Sequence, residues 1–141
     1  LRPPDPGEAL ATAAEQLIGI PFRLHGRNPE TGLDCVGVVA AALQATGAMP
    51  SMPSGYALRN LTVSQWLHHA GQSGLATAPG PVEIGDVLLI TLGHCQHHLA
   101  IATAGTTVVH AHAGLRQVVK QALQPNWRVT AKWRAAPSMK V

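Results

Sequence analysis

This chain has no acidic residue after Asp86, while six bases follow it: Arg116, Lys120, Arg128, Lys132, Arg134 and Lys140. All seven acids and the other four bases fall within residues 1–86, so the two halves carry net charges of −3 and +6. The basic half is either a solvated surface or a face for a polyanion or an acidic partner protein. Aromatics make up only 4% of the residues. That is too few for a base-stacking platform, and with no recognised motif present, nucleic acid is not an expected partner. No apolar run approaches the roughly 20 residues of a membrane span. The start shows no basic-then-apolar secretory signal, so synthesis in the cytoplasm is expected. Two cysteines, Cys35 and Cys95, cannot make a disulfide scaffold. A single Cys35–Cys95 bridge is less economical than a free thiol at Cys35, and Cys95 reads as a small residue at a strand edge.

The 141 residues suit one domain, 1–141. Asp5, Pro6 and Glu8 have the order of a helix start, and Leu10, Ala13, Ala14, Leu17 and Ile18 follow at helical spacing until Gly19 and Pro21. A polar loop over 21–34 leads to a second helix that opens at Cys35 and stops at Gly47. Residues 48–60 read as irregular. Val63, Trp66, Leu67 and Ala70 suggest a short third helix ended by Gly71, with a Gly/Pro-rich stretch to Pro81. Beyond Asp86 come short β-prone runs: Val87 to Thr91, Leu99 to Thr103, Thr107 to Ala111, Gln117 to Ala122 and Val129 to Arg134. Helices first and strands later imply an α+β fold, with N-terminal helices packed on a mainly antiparallel sheet of five to six strands.

The chemistry centres on Cys35. Asp34 is a good N-cap and the run after Cys35 is apolar, so the thiol sits in the first turn of a buried helix. Backbone N–H groups and the helix dipole there favour a thiolate. Five histidines, at 94, 97, 98, 110 and 112, fall within 19 residues. If Thr103, Ala104 and Gly105 form a three-residue loop with left-handed Gly105, Ala102 faces Thr106 and His98 lies directly opposite His110. A two-residue loop would part the pair to opposite faces. A thiol nucleophile needs a base and a group to orient that base. With no later acid, the orienting group must be neutral: His110, His112 on the same face, or Asn126, which its neighbours place in a loop. The rival chemistry is zinc held by His98, His110, His112 and Cys35, but their spacing fits no zinc signature.

Five segments then resemble, in order, motifs of the NlpC-type cell-wall cysteine peptidases, a papain-like superfamily. They are Ile18 to Gly26, Gly32-Leu33-Asp34-Cys35-Val36-Gly37, Gly85-Asp86-Val87-Leu88-Leu89, His98-Leu99-Ala100-Ile101 and Val108-Val109-His110-Ala111. The resemblance implies a papain-like NlpC-type fold and a murein endopeptidase that cuts stem-peptide amide bonds, without cofactor or metal. It implies a catalytic triad of Cys35, His98 and His110, and substrate-binding positions at Asp34, Phe22, Arg23 and His25. Phe22 stands where the family has Tyr, Val36 where it has Ser, and His25 where it has Gly. Ala113-Gly114, Val118-Val119 and Trp127-Arg128 are similar to the branch encoded with tail genes of phages and gene-transfer particles. That branch implies a place on a tail acting at the cell wall, with tail-tip or baseplate proteins as partners. A structural tail-tip protein of little activity and a thiol acyltransferase or amidase are the alternatives.

Overall fold

The first helix begins where the sequence places it. In the computed structural model, which describes residues 5–50, 69–92 and 96–135, α1 spans Pro6–Glu15. Asp5 caps it, its carboxylate accepting the Glu8 N–H at 3.2 Å. Leu10, Ala11 and Ala14 turn inward, but Ile18, expected on the same stripe, is 44% exposed. The helix stops at Glu15, and residues 16–19 leave it as a turn that ends in left-handed Gly19. The segment then runs beside an edge of the sheet, exchanging Gly19 N–H and Ile20 C=O bonds with Val118.

Residues 21–34, expected as a loop, contain a small antiparallel ribbon of β1 (Arg27–Asn28) and β2 (Gly32–Leu33). Its Asx turn is closed by Asn28 Oδ1, which accepts from Glu30 N–H. The ribbon delivers the chain to α2 (Cys35–Ala45), in which every residue from Cys35 to Leu43 is buried. A helix apolar all round has to be covered all round: α1 and the ribbon pack on it from one side and the sheet from the other. Gly37 makes the ribbon contact possible, because a Cβ there would lie 2.1 Å from the Gly26 carbonyl oxygen.

The third helix expected from Val63, Trp66 and Leu67 lies outside the described residues, as does Cys95. What is described, residues 69–72, is helical and continues past Gly71. The Gly/Pro-rich stretch that follows holds an edge strand, β3 (Leu75–Thr77), which was not expected. The remaining strands fall where the runs predict them: β4 (Val87–Leu92), β5 (Gln96–Ala104), β6 (Thr107–His112), β7 (Gln117–Ala122) and β8 (Arg128–Ala135). They form one six-stranded antiparallel sheet in the order β3-β8-β4-β5-β6-β7. One face, with Leu89, Leu99, Ile101, Val109 and Trp133, packs on the helices. The other holds a smaller cluster of Leu88, Ile90, Ala100 and Val108, partly covered by Leu123 and Trp127.

The basic half is less free than its charge suggests. Alternation puts Lys132 and Arg134 on one face of β8, as expected, and both turn to Asp86. Asp86 is fully buried and takes a fork of two Arg134 bonds at 2.8 and 3.0 Å. Lys132 lies 3.6 Å from it and donates to the Ala78 carbonyl at 2.6 Å. Arg134 also meets Glu83, and Lys120 meets Glu15. Lys120, Lys132 and Arg134 are therefore paired with acids of the first half within the molecule, which draws these three away from a face offered to a polyanion. Replacing Asp86 by Ala should cost about 3–5 kcal/mol, because buried Lys132 loses its counter-charge and only carbonyl oxygens remain to accept from it. Lys120→Ala, in an exposed pair, should cost about 1 kcal/mol or less. Urea-unfolding midpoints measure both, and a small, equal loss from the two would contradict this assignment.

Candidate active site

Asp34 builds the nucleophile end of the site. It is fully buried, and its Oδ1 accepts the Gly37 N–H at 2.8 Å, the N-cap bond expected of it. Oδ2 accepts the His25 N–H at 2.8 Å, and Arg27 pairs with Oδ1 at 3.0 Å. One carboxylate thus joins the helix start to the ribbon and to the segment before it. His25 has a φ of 62°, the left-handed region more often filled by Gly, Asn, Asp or His. Arg23 is exposed, with its backbone N–H bonded to Leu33 C=O. Phe22 bridges to Leu33 and is half-buried.

Cys35 is fully buried, and no hydrogen bond joins it to His98 among the described residues. The Leu99 backbone N–H, on the residue after His98, favours the charged form of the thiol. Burial pushes the thiol up to about 12, against the lesser pull of the Leu99 and Val36 N–H groups. The expected resting thiolate is therefore replaced by a neutral thiol. The helix start does supply donors, but desolvation of the charged form outweighs them.

The histidines meet by a different register from the expected one. The β5–β6 hairpin has a two-residue loop, Gly105-Thr106, with Ala104 paired to Thr107, and Gly105 is not left-handed. The register shifts between Ala102 and Ala104, so Ala102 faces Val108 and Ile101 faces Val109. One extra residue on β5 restores the parity that a two-residue loop alone would lose. Continued along the strands, this register sets Ala100 opposite His110, not His98. His98 and His110 are diagonal neighbours on one face, with His98 Nε2 2.5 Å from His110 Nδ1. By alternation that face is the one carrying Ala100 and Val108, away from α2. Leu99, the residue after His98, points to the opposite face and lies in the core cluster that holds Cys35.

A residue not singled out from the sequence completes the row. On β7, Gln121 pairs with Val108, and its Oε1 lies 2.5 Å from His110 Nε2. The four-residue turn 113–116 fixes this register, so the pairing of His112 with Gln117 was the signal that could have found it. An amide oxygen only accepts. His110 must therefore carry its proton on Nε2 and accept at Nδ1 from His98 Nε2–H. Neutral His98 is left with Nδ1 as its free base. Burial, then His110 and then His112, push His98 down to about 3. Burial also lowers His110, opposed by its bond to Gln121. Trp127 covers His110 edge-on at a centroid distance of 5.6 Å. Asn126 lies exposed in the turn before β8, as expected.

His98, His110 and Trp127 border a cavity of about 320 Å³ whose walls also include Phe22, Leu92 and His112. His112 Nδ1 accepts the Leu115 N–H at 3.0 Å. Among the described residues no three His, Cys, Asp or Glu side chains are grouped as metal ligands. The neutral row is instead suited to moving a proton.

No family model matches the sequence, and no curated protein is similar to it. Solved structures are similar in fold. NlpC2 from Trichomonas vaginalis matches with a TM-score of 0.71 and 15% identity, over 96% of this chain and 48% of that one. The NlpC/p60 domain of the peptidoglycan hydrolase SagA matches at 0.58 and 23%, over 92% and 98%. The peptidoglycan hydrolase RipB from Mycobacterium tuberculosis matches at 0.66 and 17%, over 94% and 65%. The chain thus spans about half of NlpC2 and nearly all of the SagA domain. The α+β architecture expected from the sequence is the NlpC/p60 fold.

The two buried groups set opposite pH limits. Below 6.5 the unfolded chain takes up a proton that folded His98 refuses until about 3, so stability should fall as pH drops through that window. Above 9.0 unfolded Cys35 loses a proton that the folded thiol keeps until about 12, so stability should fall again. Thermal unfolding of wild type and Cys35→Ala across this range should show a smaller alkaline loss in the variant. In a Cys95→Ser background, iodoacetamide should alkylate Cys35 slowly near neutral pH and faster as pH rises. Rapid, pH-independent alkylation would contradict a buried neutral thiol.

Proposed function

We propose that the chain is a thiol-dependent peptidoglycan hydrolase that cuts amide bonds in stem peptides. The observation that carries this reading is the hydrogen-bonded row His98–His110–Gln121 in a chain that also presents a thiol at a helix start. The fold it shares with peptidoglycan hydrolases supports it. Cys35 Sγ attacks the amide carbonyl while His98 Nδ1 takes the thiol proton and then gives it to the leaving amine. His110 accepts from His98 Nε2–H and so orients the base, and Gln121 fixes His110. A water activated by the same nitrogen releases the acyl group from the sulfur.

A neutral thiol–imidazole pair at rest means that the proton moves as the substrate binds, when a carbonyl replaces the apolar contact around the sulfur. Backbone N–H groups at the start of α2 are suited to receive the oxyanion. The setting on a phage-like tail, with tail-tip or baseplate partners, is part of this proposal and rests on the Ala113-Gly114, Val118-Val119 and Trp127-Arg128 segments alone.

Incubation with purified sacculi, with released muropeptides identified by mass spectrometry, tests the reading. Cys35→Ala and His98→Ala should each remove at least about a thousandfold of the activity, since the members act as a unit. His110→Ala should cost less, and Gln121→Leu less again. Murein release by Cys35→Ala at the wild-type rate would overturn the mechanism.

A further inference from the structure

All seven acidic side chains lie among the described residues, because residues 1–4, 51–68, 93–95 and 136–141 contain no Asp or Glu. The ten bases can be sorted against them. Arg2, Arg59 and Lys140 fall outside the described residues. Arg27, Lys120, Lys132 and Arg134 each have a carboxylate at ion-pair distance. Arg23, Arg116 and Arg128 have none among the described residues, and all three are exposed.

Chain geometry separates these three. Pro21 bridges antiparallel to Gln117, and the Phe22 N–H bonds to the Arg116 carbonyl at 2.9 Å. Phe22 and Arg116 are therefore opposite each other, and residues so placed start on one face. Arg23 starts on the other face, where its Cβ crowds Gly32: a Cβ on that glycine would meet it at 2.7 Å. Arg128 pairs with Thr91, which is not a wall of the cavity at His98 and His110. Phe22 is such a wall, and so is Gly114, two residues before Arg116. Arg116 thus stands at the edge of that cavity with its charge uncompensated.

The backbone gives an independent indication. Arg116 has a φ of 60°, in the left-handed region where a Cβ costs free energy that glycine avoids. The same turn contains a glycine, Gly114, but that residue is not left-handed. Strain kept at an exposed arginine, beside a cavity, points to a use for the guanidinium.

We propose that Arg116 binds a carboxylate of the substrate at the edge of this cavity, so that the site prefers an acidic peptide to the same peptide with its carboxylate amidated. A guanidinium offers a carboxylate a fork of two hydrogen bonds, and Arg116 gives up no ion pair to make them. The proposal deepens the peptidoglycan-hydrolase reading. It rests on that reading only for the identity of the ligand as a stem peptide, since binding is measured without turnover.

Acetyl-alanyl-alanine and its carboxamide differ in that one charge. Each is titrated into the whole chain while the backbone N–H resonances of Phe22, Gly114 and Arg116 are followed by NMR. The acid should move these resonances and bind about three- to tenfold more tightly than the amide at low salt. The difference should shrink as salt is added. Arg116→Gly removes the guanidinium and relaxes the turn, so it should abolish the preference without lowering the melting temperature. Arg116→Lys keeps the charge but not the fork and should keep part of the preference. Lys120→Ala removes a charge from the same hairpin and should leave the preference within about twofold. Equal binding of acid and amide, no response of these resonances, or a preference that survives Arg116→Gly overturns the proposal. A preference lost as fully in Lys120→Ala reports diffuse charge and overturns it too. If the acid is preferred through Arg116 but Cys35→Ala releases muropeptides like the wild type, the Arg116 assignment stands and the hydrolase reading fails.

Discussion

The Asp34 carboxylate is the constraint on which the site depends. In one buried position it caps α2 through Gly37 N–H, holds His25 N–H and pairs with Arg27. The helix start, the ribbon and the approach segment are thereby fixed relative to Cys35. Gly37 and Gly26 let the ribbon come close enough for this to happen. Removing such a carboxylate would break its pair with Arg27 and take this acceptor from the Gly37 and His25 N–H groups, a heavier loss than that of a surface ion pair.

Desolvation then shapes the chemistry. Burial raises the thiol and lowers both imidazoles, so the row rests neutral and its tautomers are set from the far end by Gln121. A neutral row avoids the cost of a buried charge in the resting protein. It also leaves the base nitrogen of His98 unprotonated through the physiological range. Charge separates only when a substrate carbonyl is present to take it up. Trp127 over His110 helps keep water from competing for the imidazole bonds.

Much of this was legible in the sequence where the signal is local. The Asp34 cap, the apolar run of α2, the runs of β4 and β7 and the pairing of Lys132 with Arg134 on one face depend on neighbours in the chain. What failed depends on partners far away. The edge strand β3 is hidden in a Gly/Pro-rich stretch because its pairing with β8 defines it. The β5–β6 loop was expected to be one residue longer, and the parity survived only because a bulge in β5 compensates. Gln121 required two strand registers at once. The protonation of Cys35 required knowledge of burial, which the helix-start pattern does not contain. The buried ion pairs of Asp86 join residues of opposite halves, which a charge count by halves does not reveal.

The most direct measurement is the capture of the acyl group during turnover. The protein is mixed with sacculi, quenched in acid within seconds, digested, and its peptides weighed. The expected result is a thioester-linked muropeptide fragment on the peptide that contains Cys35, absent in Cys35→Ala and accumulating in His98→Ala only to traces. Muropeptide release with Cys35 unmodified at every time point, or an adduct confined to Cys95, would contradict a mechanism that runs through this thiol and its histidine row.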